Sequence, residues 1–138
     1  MKTKCLALGL LAPALVFLPG CAEHKGAYLP QDATVGNVED SARFVLLDKA
    51  TQYSVTCPGI QEDHLSDGRL EVRANLRNRE NRRIQVQVNC VFKDAQGFTV
   101  EETPFQNVFL DENAQEGVQF ISASPKAQRY TIRVRQAR

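Results

Sequence analysis

The feature that most restricts the fold of this chain is a hydrophobic period of two residues. Leu70, Val72, Ala74 and Leu76 alternate with Glu71, Arg73, Asn75 and Arg77. Ile84, Val86, Val88, Cys90 and Phe92 alternate in the same way with Gln85, Gln87, Asn89, Val91 and Lys93. Successive side chains of a strand point to opposite faces, so both runs are expected to be strands buried on one side. The polar stretch from Asn78 to Arg82 between them predicts a hairpin. Asp94, Ala95, Gln96 and Gly97 predict a tight turn, with glycine where positive φ is needed, that returns the chain as a strand over 98–101. Pro104 should interrupt pairing. Val118, Phe120 and Ser122 begin another strand, which Ser124 and Pro125 end. Tyr130, Ile132 and Val134 form the last, opposite Thr131, Arg133 and Arg135. Weaker strands are expected over 42–47 and 52–56, and no amphipathic helix competes. Six to eight short strands with frequent turns predict an all-β fold over residues 41–138, an antiparallel two-sheet β-sandwich of the immunoglobulin or fibronectin kind.

The amino terminus is of a different kind. Lys2 and Lys4 precede an apolar run from Cys5 to Leu18, too short for the roughly 20 residues that span a bilayer, which reads as a targeting segment. It ends in Leu18, Pro19, Gly20 and Cys21, which resembles the lipobox of bacterial lipoproteins. That resemblance implies cleavage between Gly20 and Cys21, a diacylglyceryl thioether on the Cys21 thiol and acylation of the new terminal amine. Several acyl chains would make release from the membrane negligible. Residues 1–20 are therefore expected to be a signal peptide. Residues 21–40, with Gly26, Pro30 and Gly36 and no sustained period, are expected to be a flexible lipidated tether. Ala22 stands where an aspartate would signal inner-membrane retention in enteric lipoproteins, so the resemblance implies the outer membrane, facing the periplasm.

The remaining length suffices for one domain and no more. With 43% hydrophobic and 24% charged residues the composition is globular, which excludes disordered and polytopic membrane classes. The formal charge of +1 includes Lys2 and Lys4, so nothing in the bulk charge favours nucleic acid.

The run from Arg83 to Gly97 and the ending Ala123, Ser124, Pro125, Lys126, Ala127 with Tyr130, Ile132 and Arg133 resemble the YcfL family of small bacterial lipoproteins. The similarity covers roughly residues 40 to 138. It implies a periplasm-facing β-sandwich of unknown activity and supplies no catalytic residues.

Cys57 and Cys90 are an even pair for an oxidising compartment, either bridged or two separate buried thiols. Glu62, Asp63, His64 and Asp67 cluster in an apparent turn, and their spacing matches no known metal loop; a solvated acidic turn is the simpler reading. There is no glycine-rich phosphate loop, nucleophile elbow or His-Glu-x-x-His. No catalytic residue, metal or cofactor is expected.

Charge is segregated along the domain. Residues 69–83 carry a net +4, residues 94–125 a net −6 and residues 126–138 a net +5. By alternation Arg73, Arg77, Arg133 and Arg135 face outward. If their strands share a sheet they make a face for an anionic protein, glycan or headgroup, since arginine suits bidentate carboxylate or phosphate recognition. The alternative is a solvated face that keeps edges from aggregating. These features together predict a non-enzymatic accessory lipoprotein that presents a sheet face or edge to an envelope partner. A small-ligand or glycan binder, with peptidoglycan as the glycan, is the alternative.

Overall fold

The computed structural model describes residues 41–138. The expected signal peptide, the Gly20–Cys21 cleavage site, the lipidation of Cys21 and the tether lie outside the described residues. Eight strands and one short helix follow in order: β1 (Phe44–Leu46), α1 (Lys49–Ser54), β2 (Val55–His64), β3 (Leu70–Asn78), β4 (Ile84–Lys93), β5 (Thr99–Glu102), β6 (Gln106–Leu110), β7 (Gln115–Ile121) and β8 (Arg129–Gln136). They form the two-sheet sandwich expected from the alternation. One sheet runs β1-β8-β4, with β5 and β6 both on the far side of β4; the other runs β2-β3-β7. All pairs are antiparallel except β1 with β8, which are parallel.

The inner faces are those the period of two selects. Leu70, Val72, Ala74 and Leu76 of β3 meet Val86, Val88, Cys90 and Phe92 of β4 and Tyr130, Ile132 and Val134 of β8 in one core. Val72, Leu76, Val88, Phe92, Ile132 and Val134 have no exposed surface. Fully burying a side chain of this size is worth about 1.5–3 kcal/mol, which makes the β3–β4–β8 contact the main source of stability.

The pairing departs from expectation where β3 meets β4. The polar stretch after Asn78 is not a hairpin turn. Residues 79–83 carry the chain from the three-stranded sheet to the five-stranded one, and β3 pairs with β2 and β7 instead. Asn78 holds this crossover. Its fully buried amide donates to the carbonyls of Arg82 (2.8 Å), Leu110 (3.2 Å) and Asp111 (2.8 Å), and its Oδ1 accepts from the Glu80 amide (2.9 Å). The second crossover, from β6 to β7, is thereby fastened to the first. Asn113 at its apex has φ 52 and donates its amide to the Glu80 carbonyl (3.1 Å).

Two further corrections concern short elements. Residues 49–54 form the helix α1, so the strand expected over 52–56 begins only at Val55. Asp48 caps it, accepting from the Thr51 amide at 2.9 Å while its other oxygen accepts from the Gln136 amide at 2.6 Å. Burial disfavours the Asp48 carboxylate, but these hydrogen bonds outweigh it and hold the carboxyl below the ordinary range. β6 is a strand the alternation left unassigned. The turn over 94–97 is as expected: Gly97 has φ 95, and the Asp94 amide donates to the Phe98 carbonyl at 2.9 Å.

Removing the Asn78 side chain would strand several buried main-chain groups, each costing about 1–3 kcal/mol. Asn78→Ala is therefore expected to lower the unfolding free energy by about 2–4 kcal/mol in urea titration. Arg79→Ala, one residue on, is expected to change it by less than about 0.5 kcal/mol. Equal effects of the two substitutions would contradict this role.

Candidate functional site

The four arginines singled out by alternation do not form one face. Arg73 and Arg77 lie on β3 of the three-stranded sheet, Arg133 and Arg135 on β8 of the five-stranded sheet, and the core lies between. The crossover at Asn78 is the cause. Arg73 is committed to Glu71, with Nη2 to Oε2 at 2.8 Å, and Gln119 donates to the other Glu71 oxygen. Arg77 stands exposed beside Gln115 of β7 and Thr56 of β2.

Arg133 and Arg135 instead belong to a cross-strand ladder. Asn89 and Gln87 of β4 are their direct register partners. Arg133 Nε donates to Asn89 Oδ1 at 3.1 Å, and Arg135 Nε donates to Gln87 Oε1 at 2.9 Å. The Asn89 amide donates in turn to Glu102 Oε1 (3.0 Å) and to the Thr103 carbonyl (3.1 Å), so this outward-facing asparagine is fully buried. Glu102 also pairs with the Arg133 guanidinium. Gln87 extends the ladder to β6 by donating to Asn107 Oδ1 at 3.1 Å.

A break in the neighbouring strand adds an aromatic to this face. β5 and β6 pair with opposite ends of β4, and residues 103–105 between them leave the ladder at Pro104, which has no amide hydrogen to donate. Thr103 bridges the gap, its hydroxyl accepting from the Cys90 amide at 2.9 Å and its amide donating to the Cys90 carbonyl at 2.9 Å. The irregularity turns Phe105 onto the outer face. There its ring centroid lies 3.7 Å from the Arg135 guanidinium carbon and 5.6 Å from that of Arg133. A cation over an aromatic face is worth about 0.5–2 kcal/mol, depending on desolvation. Arg133 is neutralised by Glu102. Arg135 is held by an amide and a ring, and among the described residues no carboxylate pairs with it. The sequence signalled Phe105 only through Pro104, because a strand break does not reveal which face the next side chain takes.

The residue-range 42–136 matches the model of a protein family described as a protein of unknown function, DUF1425. The chain belongs to the DUF1425 family. A crystal structure of a DUF1425 family member from Shewanella sp. pv-4 is similar at a TM-score of 0.54 and 22% identity, over 60% of this chain and 76% of that one. A crystal structure of Campylobacter jejuni cj0090 is similar at a TM-score of 0.56 and 16% identity, over 69% of this chain and 98% of that one. At these identities the likeness is one of fold. No curated protein matches the sequence.

Other expected groupings do not assemble in this DUF1425 domain. Glu62, Asp63 and His64 alternate along β2 rather than sharing a turn, and Asp67 is tied to Arg69, with Oδ2 to Nε at 2.6 Å. The Cys57–Cys90 bridge is not formed. Cys57 sits at the bulge of β2 in one sheet, its thiol donating to the Gly59 carbonyl at 3.5 Å, while Cys90 is fully buried at the centre of the other. Burial raises the Cys57 thiol pKa and, with the Glu101 charge, pushes Cys90 up to about 12. A cleft of about 330 Å³ beside α1 brings Ser54 and Glu80 into hydrogen-bonding contact, with Arg82 next to them. The Ser54 and Arg82 hydrogen bonds hold the Glu80 carboxyl below its ordinary range, which makes it a weak base toward the serine.

Both cysteines are expected to carry free thiols. Alkylation of native protein followed by peptide mapping should label Cys57 slowly and Cys90 only after unfolding. A linked Cys57–Cys90 peptide pair in unreduced protein would contradict the structure.

Proposed function

We propose that this DUF1425 protein is a YcfL-type lipoprotein, anchored by acylated Cys21 in the outer membrane and facing the periplasm. It acts there as a non-enzymatic interaction module. Support for the anchor lies in Lys2 and Lys4, the short apolar run and Leu18-Pro19-Gly20-Cys21. The family match begins at residue 42, which leaves about twenty residues after Cys21 as a tether.

The observation that carries the recognition reading is Arg135. Its guanidinium is oriented by Gln87 and backed by Phe105, and its charge is left uncompensated by any carboxylate among the described residues. An oriented arginine loses little conformational freedom when it takes a carboxylate or phosphate. The partner is an envelope protein presenting such a group. Arg133 braces the face through Asn89 and Glu102, and Arg73 and Arg77 on the opposite sheet take no part. A second reading, a binder of anionic glycan such as peptidoglycan, draws on the Phe105 ring beside the Gln87 and Asn107 amides.

Labelled palmitate should mark the protein, and Cys21→Ala should move it from the membrane pellet to the soluble fraction. A Cys21→Ala protein still in the pellet after a high-salt wash would contradict the anchor. Arg135→Glu should cut recovery of the partner in cell crosslinking about ten-fold while the domain stays folded, its melting temperature lower only by the few degrees that loss of the Gln87 and Phe105 contacts implies. Undiminished recovery would contradict the Arg135 site, and pelleting with purified sacculi would favour the glycan reading.

A further inference from the structure

At the end of the sandwich where β8 begins, a pocket of about 290 Å³ lies between the chain entering β1, the far half of β2 and the end of β4. That volume is at the lower limit of small-molecule sites. Among the described residues its wall includes Arg43, Glu62, Lys93, Arg129 and Tyr130. Tyr130 is 5% exposed: its ring belongs to the core, and its hydroxyl is buried with no hydrogen-bond partner among the described residues. Glu62 and Arg43 stand close enough to that hydroxyl to bear on its titration, yet neither meets hydrogen-bond geometry with it. They face each other at 3.5 Å, and the Arg43 guanidinium carbon lies 5.9 Å from the Tyr130 ring centroid. Burying an unpaired hydroxyl costs about as much as a lost hydrogen bond, so such groups are rare in folded proteins and call for a partner.

We propose that this pocket binds a small hydroxy acid or amino acid, with its carboxylate accepting from the Tyr130 hydroxyl and Arg43 and its neighbouring hydroxyl or ammonium donating to Glu62. The Tyr130 hydroxyl is suited to donate, because burial and the Glu62 charge push its pKa up to about 12 and keep it protonated. Arg43 supplies the charge that a carboxylate requires, and Arg129 adds a second cation at the wall. Glu62 contributes the acceptor that separates a hydroxy or amino acid from a bare oxyanion. The pocket closes against the core through the Tyr130 ring, so the ligand meets one apolar wall and a polar rim. This site is separate from the Arg135 face and does not depend on what that face recognises.

The test is equilibrium dialysis of the full-length protein against radiolabelled lactate, alanine and inorganic phosphate, with Tyr130→Phe and Glu62→Gln as variants. Saturable uptake of lactate or alanine is expected, weakened about five- to ten-fold in Tyr130→Phe, which keeps the ring and loses only the donor. Glu62→Gln should narrow the preference for these acids over phosphate. Without ligand, Tyr130→Phe should melt at the same temperature or higher, since it removes a buried unpaired hydroxyl. A clearly lower melting temperature would show that the hydroxyl already has a partner and would overturn the proposal. So would an absence of saturable uptake, uptake unchanged in Tyr130→Phe, or uptake of phosphate in preference to both acids.

Discussion

The buried amide of Asn78 is the contact on which the arrangement of this domain depends. β3 and β4 are the two most regular strands, and five residues of polar chain separate them. Left to local preference they would pair as a hairpin. The Asn78 side chain instead satisfies carbonyls from two crossovers at once, the one leaving β3 and the one leaving β6. A buried amide with all its capacity used is stabilising and specific, whereas a partly used one would be costly. The two sheets are thus held face to face at the point where the chain changes from one to the other.

That geometry explains which parts of the fold are legible in the sequence. Burial is local information: alternation at Leu70–Leu76, Ile84–Phe92 and Tyr130–Val134 states which side chains face inward, and each does. Partnership is not local. The same alternation is compatible with β3 beside β4 or across the core from it, and the contacts of the asparagine at position 78 favour the second. Its residue type gives no sign of this, because a polar residue before an Asn- and Arg-rich stretch reads as turn. Helix α1 is one and a half turns, too short to show a period of 3.6. β6 has only Val108 and Leu110 facing the core, behind a proline that reads as a stop.

The candidate site follows the same division. That Arg133 and Arg135 point outward was readable from the period, while their separation from Arg73 and Arg77 was not. The outer face of the five-stranded sheet is also less like a solvated surface than alternation suggests. Asn89 and Thr131 are outward-facing and buried, and arginines, amides and Phe105 are fixed in register across β8, β4 and the β5–β6 break. Ordering long side chains in this way costs entropy, which the ladder of hydrogen bonds and the ring contact offset. A preorganised charged face of this kind, on a domain with the proposed lipid anchor, would need little intrinsic affinity to act, because tethering supplies effective concentration.

The separation of the arginines by the core is the claim from which the rest descends, and a distance measurement tests it most directly. Spin labels at positions 77 and 135, read by pulsed dipolar spectroscopy, should report a span across the whole sandwich, well beyond the roughly 10 Å between packed sheets. A distance of only about 5–10 Å, as between neighbouring strands of one sheet, would put β3 and β8 on a common face and contradict the account.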